Sequence, residues 1–142
     1  MRAAQRELVR IGIDRPTAAA SGKPEDWANG GARLEEMPIA TFADLAAARA
    51  GQAPRGLPSP DVVLDVRLTS EWEDSHIDGA VHVPLPDLPR RLGEIPAGTV
   101  WTHCSSGYRS TAAASLLTGA GRRAVLINDE FGNAGPAGLE MR

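Results

Sequence analysis

The only cysteine of this 142-residue chain, Cys104, lies between the apolar run TVWTH and the alanine-rich segment STAAASLLTGAG. If these form a strand and a helix, CSSGYR is the turn between them and Cys104 is its first residue. Such a turn aims successive backbone N–H groups inward, and the start of the helix adds the positive end of its dipole. A thiolate at the centre would be stabilised, which lowers the pKa of the thiol. The spacing therefore predicts a nucleophilic cysteine, against the alternative of a small buried apolar residue.

The rest of the turn suits a loop that closes around a sulfur atom. Gly107 can adopt a positive φ, and the side chains of Ser105 and Ser106 are small and able to hydrogen-bond. Arg109 carries the only formal charge of the turn, and its donors could bind either an anionic substrate or the loop carbonyls. We expect Tyr108 to be exposed at the rim of the pocket.

The length of the turn argues against a phosphatase loop. Cysteine phosphatases also place a cysteine at a strand end and an arginine at a helix start, but with one more residue between them than the four that separate Cys104 from Arg109. Ser110 stands where that arginine would be needed. The smaller ring suits a single extra sulfur atom on the thiolate better than a tetrahedral oxyanion.

Short β-branched runs alternate with segments that can form helical turns. The runs are VVLDV, AVHVPL, TVWTH and RAVLIN, and the segments between them are TSEWEDSH, PDLPRRLGEI and STAAASLLTGAG. Before them, MPIA could form a further short strand, and Thr41 can cap a helix over FADLAAARA that Gly51 ends. This alternation predicts an α/β fold with a parallel sheet of about five strands and helices on both faces. Reactive groups should lie at the carboxyl edge of the sheet.

The composition favours one domain with an N-terminal extension. Residues 37–142 carry the regular pattern, whereas residues 1–36 are predicted to form a short helix over 3–11 followed by an irregular arm. The net charge of −3 is dispersed, so we expect neither a nucleic-acid partner nor a membrane partner. A charged start without a signal-peptide pattern, and a single cysteine, favour a cytoplasmic protein.

Two stretches together resemble the rhodanese-like sulfurtransferases. CSSGYRS looks like the six-residue active loop of that family, and VLDVRLTSEWEDSHIDGAVHVPL is similar to its DVR and GHI-containing stretch. The resemblance covers roughly residues 37–141 and implies a parallel α/β sheet and one catalytic cysteine that carries sulfur as a persulfide. The family's closing pattern of paired glycines followed by a tryptophan is altered here to NDEFGNAGPAGLEM, so the last helix and one pocket wall should differ.

Several residues outside the loop are expected to support it. The resemblance makes Asp65 the strand-end aspartate of the family, which we expect to accept hydrogen bonds from backbone N–H groups or an arginine. Arg67 and Glu71 are expected to take part in an ion pair at the surface or behind the site that contributes little to stability, and not to act on substrate. His76 should bond the backbone in the turn before a strand, as the resemblance also implies.

Trp72 and Trp101 are expected to pack in the core. The ligand-capable side chains of His76, His82, His103 and Cys104 raise the possibility of a metal site. However, adjacent residues of a strand point to opposite faces, and no histidine pair has the spacing of a zinc motif. We therefore expect no metal and no cofactor.

The expected activity is transfer of a sulfane sulfur atom through a persulfide on Cys104. The donor would be thiosulfate or a low-molecular-weight persulfide, and a small thiophilic acceptor would remove the sulfur. The alternatives are a non-catalytic docking or regulatory module of the same fold and, disfavoured by the loop length, a cysteine phosphatase or arsenate reductase.

The N-terminal arm resembles a second, shorter feature. LVRIGIDRPTAAASGKPEDWANGG looks like the junction in proteins that fuse a metallo-β-lactamase-type hydrolase to a rhodanese module. That resemblance implies a persulfide-metabolising hydrolase as a partner. The alternative is an ordinary extension that wraps onto its own domain.

Overall fold

A parallel sheet of five strands forms the centre of the fold in the computed structural model, which describes residues 21–23, 26, 36–52, 54 and 56–142. The spatial order of the strands is β1-β5-β4-β2-β3. The helix expected over 3–11 and most of the irregular arm lie outside the described residues. The strands are β1 (Ile39–Ala40), β2 (Val62–Asp65), β3 (Val81–His82), β4 (Val100–His103) and β5 (Ala124–Ile127). Each falls inside a predicted run, and the α/β fold class is confirmed.

Helices connect the strands. They are α1 (Phe42–Arg49), α2 (Thr69–Asp74), α3 (Leu88–Arg91) and α4 (Tyr108–Gly119), with 3-10 turns at Leu92–Glu94 and Phe131–Asn133. The cap predicted for α1 is present, because the Asp44 backbone N–H donates to Thr41 Oγ1 at 3.2 Å and the Thr41 N–H donates to the Asp44 carboxylate at 2.8 Å. No helix in the described part of the chain is long and apolar enough to cross a membrane.

The core lies on both faces of the sheet. Because side chains alternate along a strand, Val100 faces α4 while its neighbour Trp101 faces α1. The cluster on the α4 face includes Val62, Leu64, Val100, Cys104, Ala113 and Leu117, and the cluster on the α1 face includes Phe42, Leu45, Val63, Trp101, Val125 and Ile127. The central strands are buried throughout, which explains why their sequences are mostly apolar.

After β5 the chain forms a 3-10 turn, in the segment where the altered closing pattern predicted a departure from the last helix of the family. Phe131–Asn133 forms this turn, and the Phe131 N–H donates to the carbonyl of Ser105 at 2.8 Å. Ile77 and Met141 then form an antiparallel bridge. The closing segment thereby contacts both the cysteine turn and the turn before β3.

Candidate active site

The cysteine turn joins β4 to α4 at the carboxyl edge of the sheet. Cys104 directly follows β4, and α4 begins at Tyr108, two residues earlier than the sequence pattern predicted. The earlier start follows from Gly107, whose φ of 92° reverses the chain and whose carbonyl accepts from the Thr111 N–H at 3.0 Å. A Cβ atom at Gly107 would overlap the side-chain amide of Asn128, so both space and conformation require glycine here.

Hydrogen-bond donors surround the sulfur of Cys104, and this residue is only 1% exposed. The Ser110 N–H donates to Sγ at 3.4 Å, and the Ser110 hydroxyl lies 3.5 Å from it. Burial acts to raise the pKa of the thiol, but the Ser110 hydroxyl and the N–H groups of Ser106, Ser110 and Gly107 outweigh it, so the pKa is lowered. The arrangement stabilises a thiolate.

Ser110 was not among the site residues predicted from the sequence. Its hydroxyl also lies 2.9 Å from the carbonyl of Gly107 and 3.3 Å from that of Ile127. Because a serine hydroxyl has one proton, it can donate to only one of these oxygens or to the thiolate at a time. The sequence signal that could have identified Ser110 is its position as a polar residue in the first turn of a helix whose next turn is apolar.

A half-exposed ion pair holds the turn against α2. Arg109 Nη1 donates to Glu71 Oε2 at 2.6 Å, and Arg109 Nη2 donates to Glu71 Oε1 at 2.8 Å and to Ser105 Oγ at 2.7 Å. The Ser105 hydroxyl in turn donates to Glu71 Oε1 at 2.6 Å. The bonds from Arg109 are the main reason that the pKa of Glu71 falls far below its usual range. Arg109 thus binds a carboxylate of the protein itself, whereas the sequence had left open an anionic substrate or the loop carbonyls.

A second ion pair lies fully inside the protein. Arg67 donates from Nε and Nη2 to the Asp65 carboxylate, with Nη2 to Oδ2 at 2.6 Å, and the two side chains are 4% and 0% exposed. The Arg67 N–H also donates to Asp65, and Nη2 donates to the carbonyl of Ser75 at 2.8 Å. The guanidinium lies 3.5 Å from the centre of the Phe131 ring. Asp65 therefore has the backbone and arginine donors expected of it.

His103 points away from Cys104, as the alternation along β4 predicts. Its ring packs against those of Phe42 and Phe131, and neither ring nitrogen has a hydrogen-bond partner within the described structure. Burial is the main cause that lowers the pKa of His103 to about 4, and the Asp65 carboxylate, 3.7 Å from Nε2, opposes that shift. His103 is therefore neutral at pH 7.

The expectation that Trp72 packs in the core was wrong. Its helix, α2, has no buried residue, and the indole ring stacks on the rings of His76 and His82, with centroids 3.8 and 4.7 Å away. The reason is position, since His82 belongs to β3, the edge strand, and Trp72 lies against this edge and not over the central strands. Trp101 is fully buried, as expected.

His76 and Tyr108 lie as expected, and His82 makes a further backbone contact. His76 Nδ1 bonds the carbonyl of Trp72 at 2.9 Å, as predicted, and His82 Nε2 bonds that of Arg67 at 3.0 Å. Tyr108 is 82% exposed. Among the described residues, no three His, Cys, Asp or Glu side chains are grouped so as to hold a metal ion.

The model of the rhodanese-like domain family matches residues 46–131. The chain belongs to this family. Among curated proteins, it is 37% identical over 65 residues to a candidate sulfur carrier protein of Bacillus subtilis (strain 168), YrkF, covering 45% of this chain and 35% of that protein. It is 29% identical over 58 residues to the thiosulfate sulfurtransferase PspE of Escherichia coli (strain K12), covering 39% of this chain and 56% of that protein. The chain thus spans only about a third to a half of these relatives.

Solved structures share the fold. SSP1007 from Staphylococcus saprophyticus is 26% identical with a TM-score of 0.61, and the match covers 73% of this chain and 99% of that one. A rhodanese-like domain protein from Staphylococcus aureus is 24% identical with a TM-score of 0.60, covering 73% and 97%. The order of sheet and helices described above is therefore that of the rhodanese-like fold.

Proposed function

We propose that this rhodanese-like domain transfers a sulfane sulfur atom from a small donor to a thiophilic acceptor through a persulfide on Cys104. The observation that carries the proposal is the ring of donors around Sγ, formed by the Ser110 hydroxyl and by backbone N–H groups of the turn. These donors hold negative charge on sulfur before and after the extra atom is added. Donors that are already in place cost no reorganisation during the reaction.

The first half-reaction forms the persulfide. The Cys104 thiolate attacks the outer sulfur of thiosulfate or of a low-molecular-weight persulfide, and a new sulfur–sulfur bond forms at Cys104. The bond between the two donor sulfurs breaks, and its electron pair leaves with sulfite or with a thiolate. Charge is conserved, because a thiolate and a thiosulfate dianion give a persulfide anion and a sulfite dianion.

The second half-reaction regenerates the enzyme. A nucleophile such as cyanide bonds to the outer sulfur, the persulfide bond breaks, and its electron pair returns to Cys104 as the thiolate. The product with cyanide is thiocyanate. Two sequential half-reactions on one nucleophile predict ping-pong kinetics, and the residues on the path require no cofactor.

The relatives support this assignment. PspE is named a thiosulfate sulfurtransferase and YrkF a candidate sulfur carrier protein, and both names describe proteins that handle sulfur. The intact turn, with Cys104, Gly107 and Ser110 all in contact, favours a working site over a docking module that has lost its activity. The four-residue spacing and the engaged Arg109 disfavour a phosphatase.

Incubation with thiosulfate and cyanide tests the proposal directly. We expect thiocyanate release and, before cyanide is added, a mass gain of one sulfur atom, about 32 Da, on Cys104. Cys104→Ser should abolish both while leaving the circular dichroism spectrum unchanged, because the oxygen is of similar size. Thiocyanate production by Cys104→Ser at more than a few per cent of the wild-type rate would contradict the mechanism. A wild-type protein that neither gains sulfur nor releases thiocyanate would instead support the docking module.

We extend the proposal to the location of the protein and to its partners. We propose a cytoplasmic location, a small-molecule donor and acceptor, and a persulfide-metabolising hydrolase as partner, the last from residues that lie mostly outside the described part of the chain. Deleting residues 1–36 should then leave the melting temperature and thiocyanate production nearly unchanged. A large drop in melting temperature would show that the arm belongs to the core of this domain.

A further inference from the structure

The charge of the cysteine turn is neutralised by a residue from another element. Arg109 holds the only formal positive charge in the turn, and both of its terminal nitrogens donate to the carboxylate of Glu71 on α2. Arg67 is paired with Asp65, and its guanidinium lies over the ring of Phe131, whose backbone N–H donates to the Ser105 carbonyl. In the described structure, both of these arginines are therefore paired with carboxylates.

This pair lies close enough to the reacting sulfur to affect it. Arg109 stands in the first turn of α4, and Ser105, which follows Cys104, bonds both Arg109 and Glu71. The pKa of Arg109 is raised chiefly by Glu71 and, to a smaller extent, by the charge of the Cys104 thiolate. Any charge that a donor keeps near its outer sulfur must enter the same surroundings.

Sulfane-sulfur donors differ in that charge. Thiosulfate brings a dianion, with negative charge on the sulfonate next to the outer sulfur. The methanethiosulfonate anion replaces one sulfonate oxygen with a methyl group and carries a single charge, while a small thiol persulfide can react in its uncharged form. An unpaired Arg109 would favour the dianion, and a neutralised Arg109 does not.

We propose that Glu71, acting through Arg109, selects against dianionic donors, so that this site prefers sulfane-sulfur donors with at most one negative charge near the transferred atom. The inference rests on the persulfide function proposed above and names its donor class. Glu71 is a specificity-determining residue in this account and does not touch the reacting atoms.

A charge cycle at the two positions tests the inference. The measured quantity is kcat/KM for thiosulfate divided by kcat/KM for sodium methanethiosulfonate, both with cyanide as acceptor, so that the intrinsic reactivities of the donors cancel between variants. Glu71→Gln keeps a carbonyl acceptor for Arg109 and Ser105 but removes the negative charge. Arg109→Gln removes the positive charge, and the double variant is neutral like the wild type.

We expect Glu71→Gln to raise the ratio by about three- to tenfold, mainly through a lower KM for thiosulfate, and Arg109→Gln to lower it by a similar factor. The double variant should return to within about twofold of the wild-type ratio, and salt at about 0.5 M should shrink the differences. If Glu71→Gln fails to fold, Arg109→Gln and the double variant still show whether the ratio follows the charge.

The outcomes separate the two proposals. Equal changes for both donors in every variant would mean that Glu71 only holds the turn in place, and would overturn the inference while leaving sulfur transfer intact. A wild-type Cys104 that gains sulfur from neither donor, by intact-protein mass, would overturn the proposed function and the inference with it.

Discussion

Two arginine–carboxylate pairs flank the carboxyl edge of the sheet, and their surroundings differ sharply. Arg67 and Asp65 are 4% and 0% exposed, whereas Arg109 and Glu71 are 27% and 31% exposed. Both pairs have contacts as short as 2.6 Å, so the difference between them is burial and not geometry. A buried charge without its partner is costly, whereas a half-exposed one can be solvated by water.

The pairs also connect different parts of the chain. Asp65 and Arg67 are two residues apart, and their pair fixes the exit from β2 beneath Phe131. Glu71 and Arg109 are 38 residues apart, and their pair joins α2 to the cysteine turn. The inner pair should therefore govern stability, while the outer pair can influence which charges reach the site.

Removing the inner cation should have the largest effect on stability. Arg67→Met leaves the Asp65 carboxylate buried without its main partner, and we expect a loss of about 3–5 kcal/mol in the free energy of unfolding. Urea denaturation followed by circular dichroism measures it. As a control, Asp65→Asn combined with Arg67→Met should be less destabilised than Arg67→Met alone. A loss below about 1 kcal/mol for the single variant would show that water reaches Asp65 and that the two pairs do not differ as argued.

The stability of the buried region around Asp65 should also depend on pH through His103. Its pKa is about 4 in the folded protein and 6.5 in the unfolded chain, so the unfolded chain binds the proton more readily between these values. The contribution to stability is present above pH 6.5 and is lost as the pH falls towards 4, with a total on the order of 3 kcal/mol.

Urea midpoints measured across this pH window test the His103 prediction. His103→Leu should show a weaker pH dependence there than the wild type, because the contribution of His103 is removed. Identical slopes in the two proteins would contradict it.

Neither pair is the main support of the thiolate, which should depend on Ser110. Ser110→Ala removes a hydroxyl donor 3.5 Å from Sγ and should raise the pKa of Cys104. The rate of alkylation by iodoacetamide at pH 7 should fall about tenfold, since hydrogen bonds to charged groups are worth more than neutral ones. Ser106→Ala, which keeps its backbone N–H, is the matched control and should alkylate at the wild-type rate. An unchanged rate in Ser110→Ala would mean that the backbone donors suffice.

Breaking the outer pair should have the smallest effect on stability. We expect Glu71→Gln to change the free energy of unfolding by less than about 1 kcal/mol, because water solvates the half-exposed Arg109 that remains. The same urea titration as for Arg67→Met gives a direct contrast. A loss as large as that of the inner pair would assign both pairs to stability and weaken the case for Glu71 as a selector of donors.

Much of the fold was readable from the sequence, for a specific physical reason. Strands buried on both faces are rich in apolar, β-branched residues, so VVLDV, TVWTH and RAVLIN mark β2, β4 and β5 directly. Thr41 and Gly51 mark the ends of α1 because caps and positive φ require particular residue types. The resemblance to the rhodanese-like family, confirmed over residues 46–131, rests on the same local patterns.

The site was predicted less completely. Cys104, Gly107 and the alternation that separates His103 from Cys104 follow from local rules, and the structure places all three accordingly. The environment of Trp72 was predicted wrongly and Ser110 was missed, because the surroundings of each depend on which element lies opposite it. Residue type alone does not distinguish a tryptophan in the core from one stacked at a sheet edge.

The sequence by itself determined the order of strands and helices along the chain and the position of the thiol at a strand-to-helix turn. Backbone preferences and burial patterns act over neighbouring residues, so these features are local. Only the tertiary structure decided that Arg109 faces Glu71, that Arg67 faces Asp65, and that one pair is buried while the other meets water. Every charged residue has several possible partners along the chain. The choice among them is made only when the packing of the sheet and helices brings two side chains within a few ångströms, where the interaction of opposite charges becomes strong.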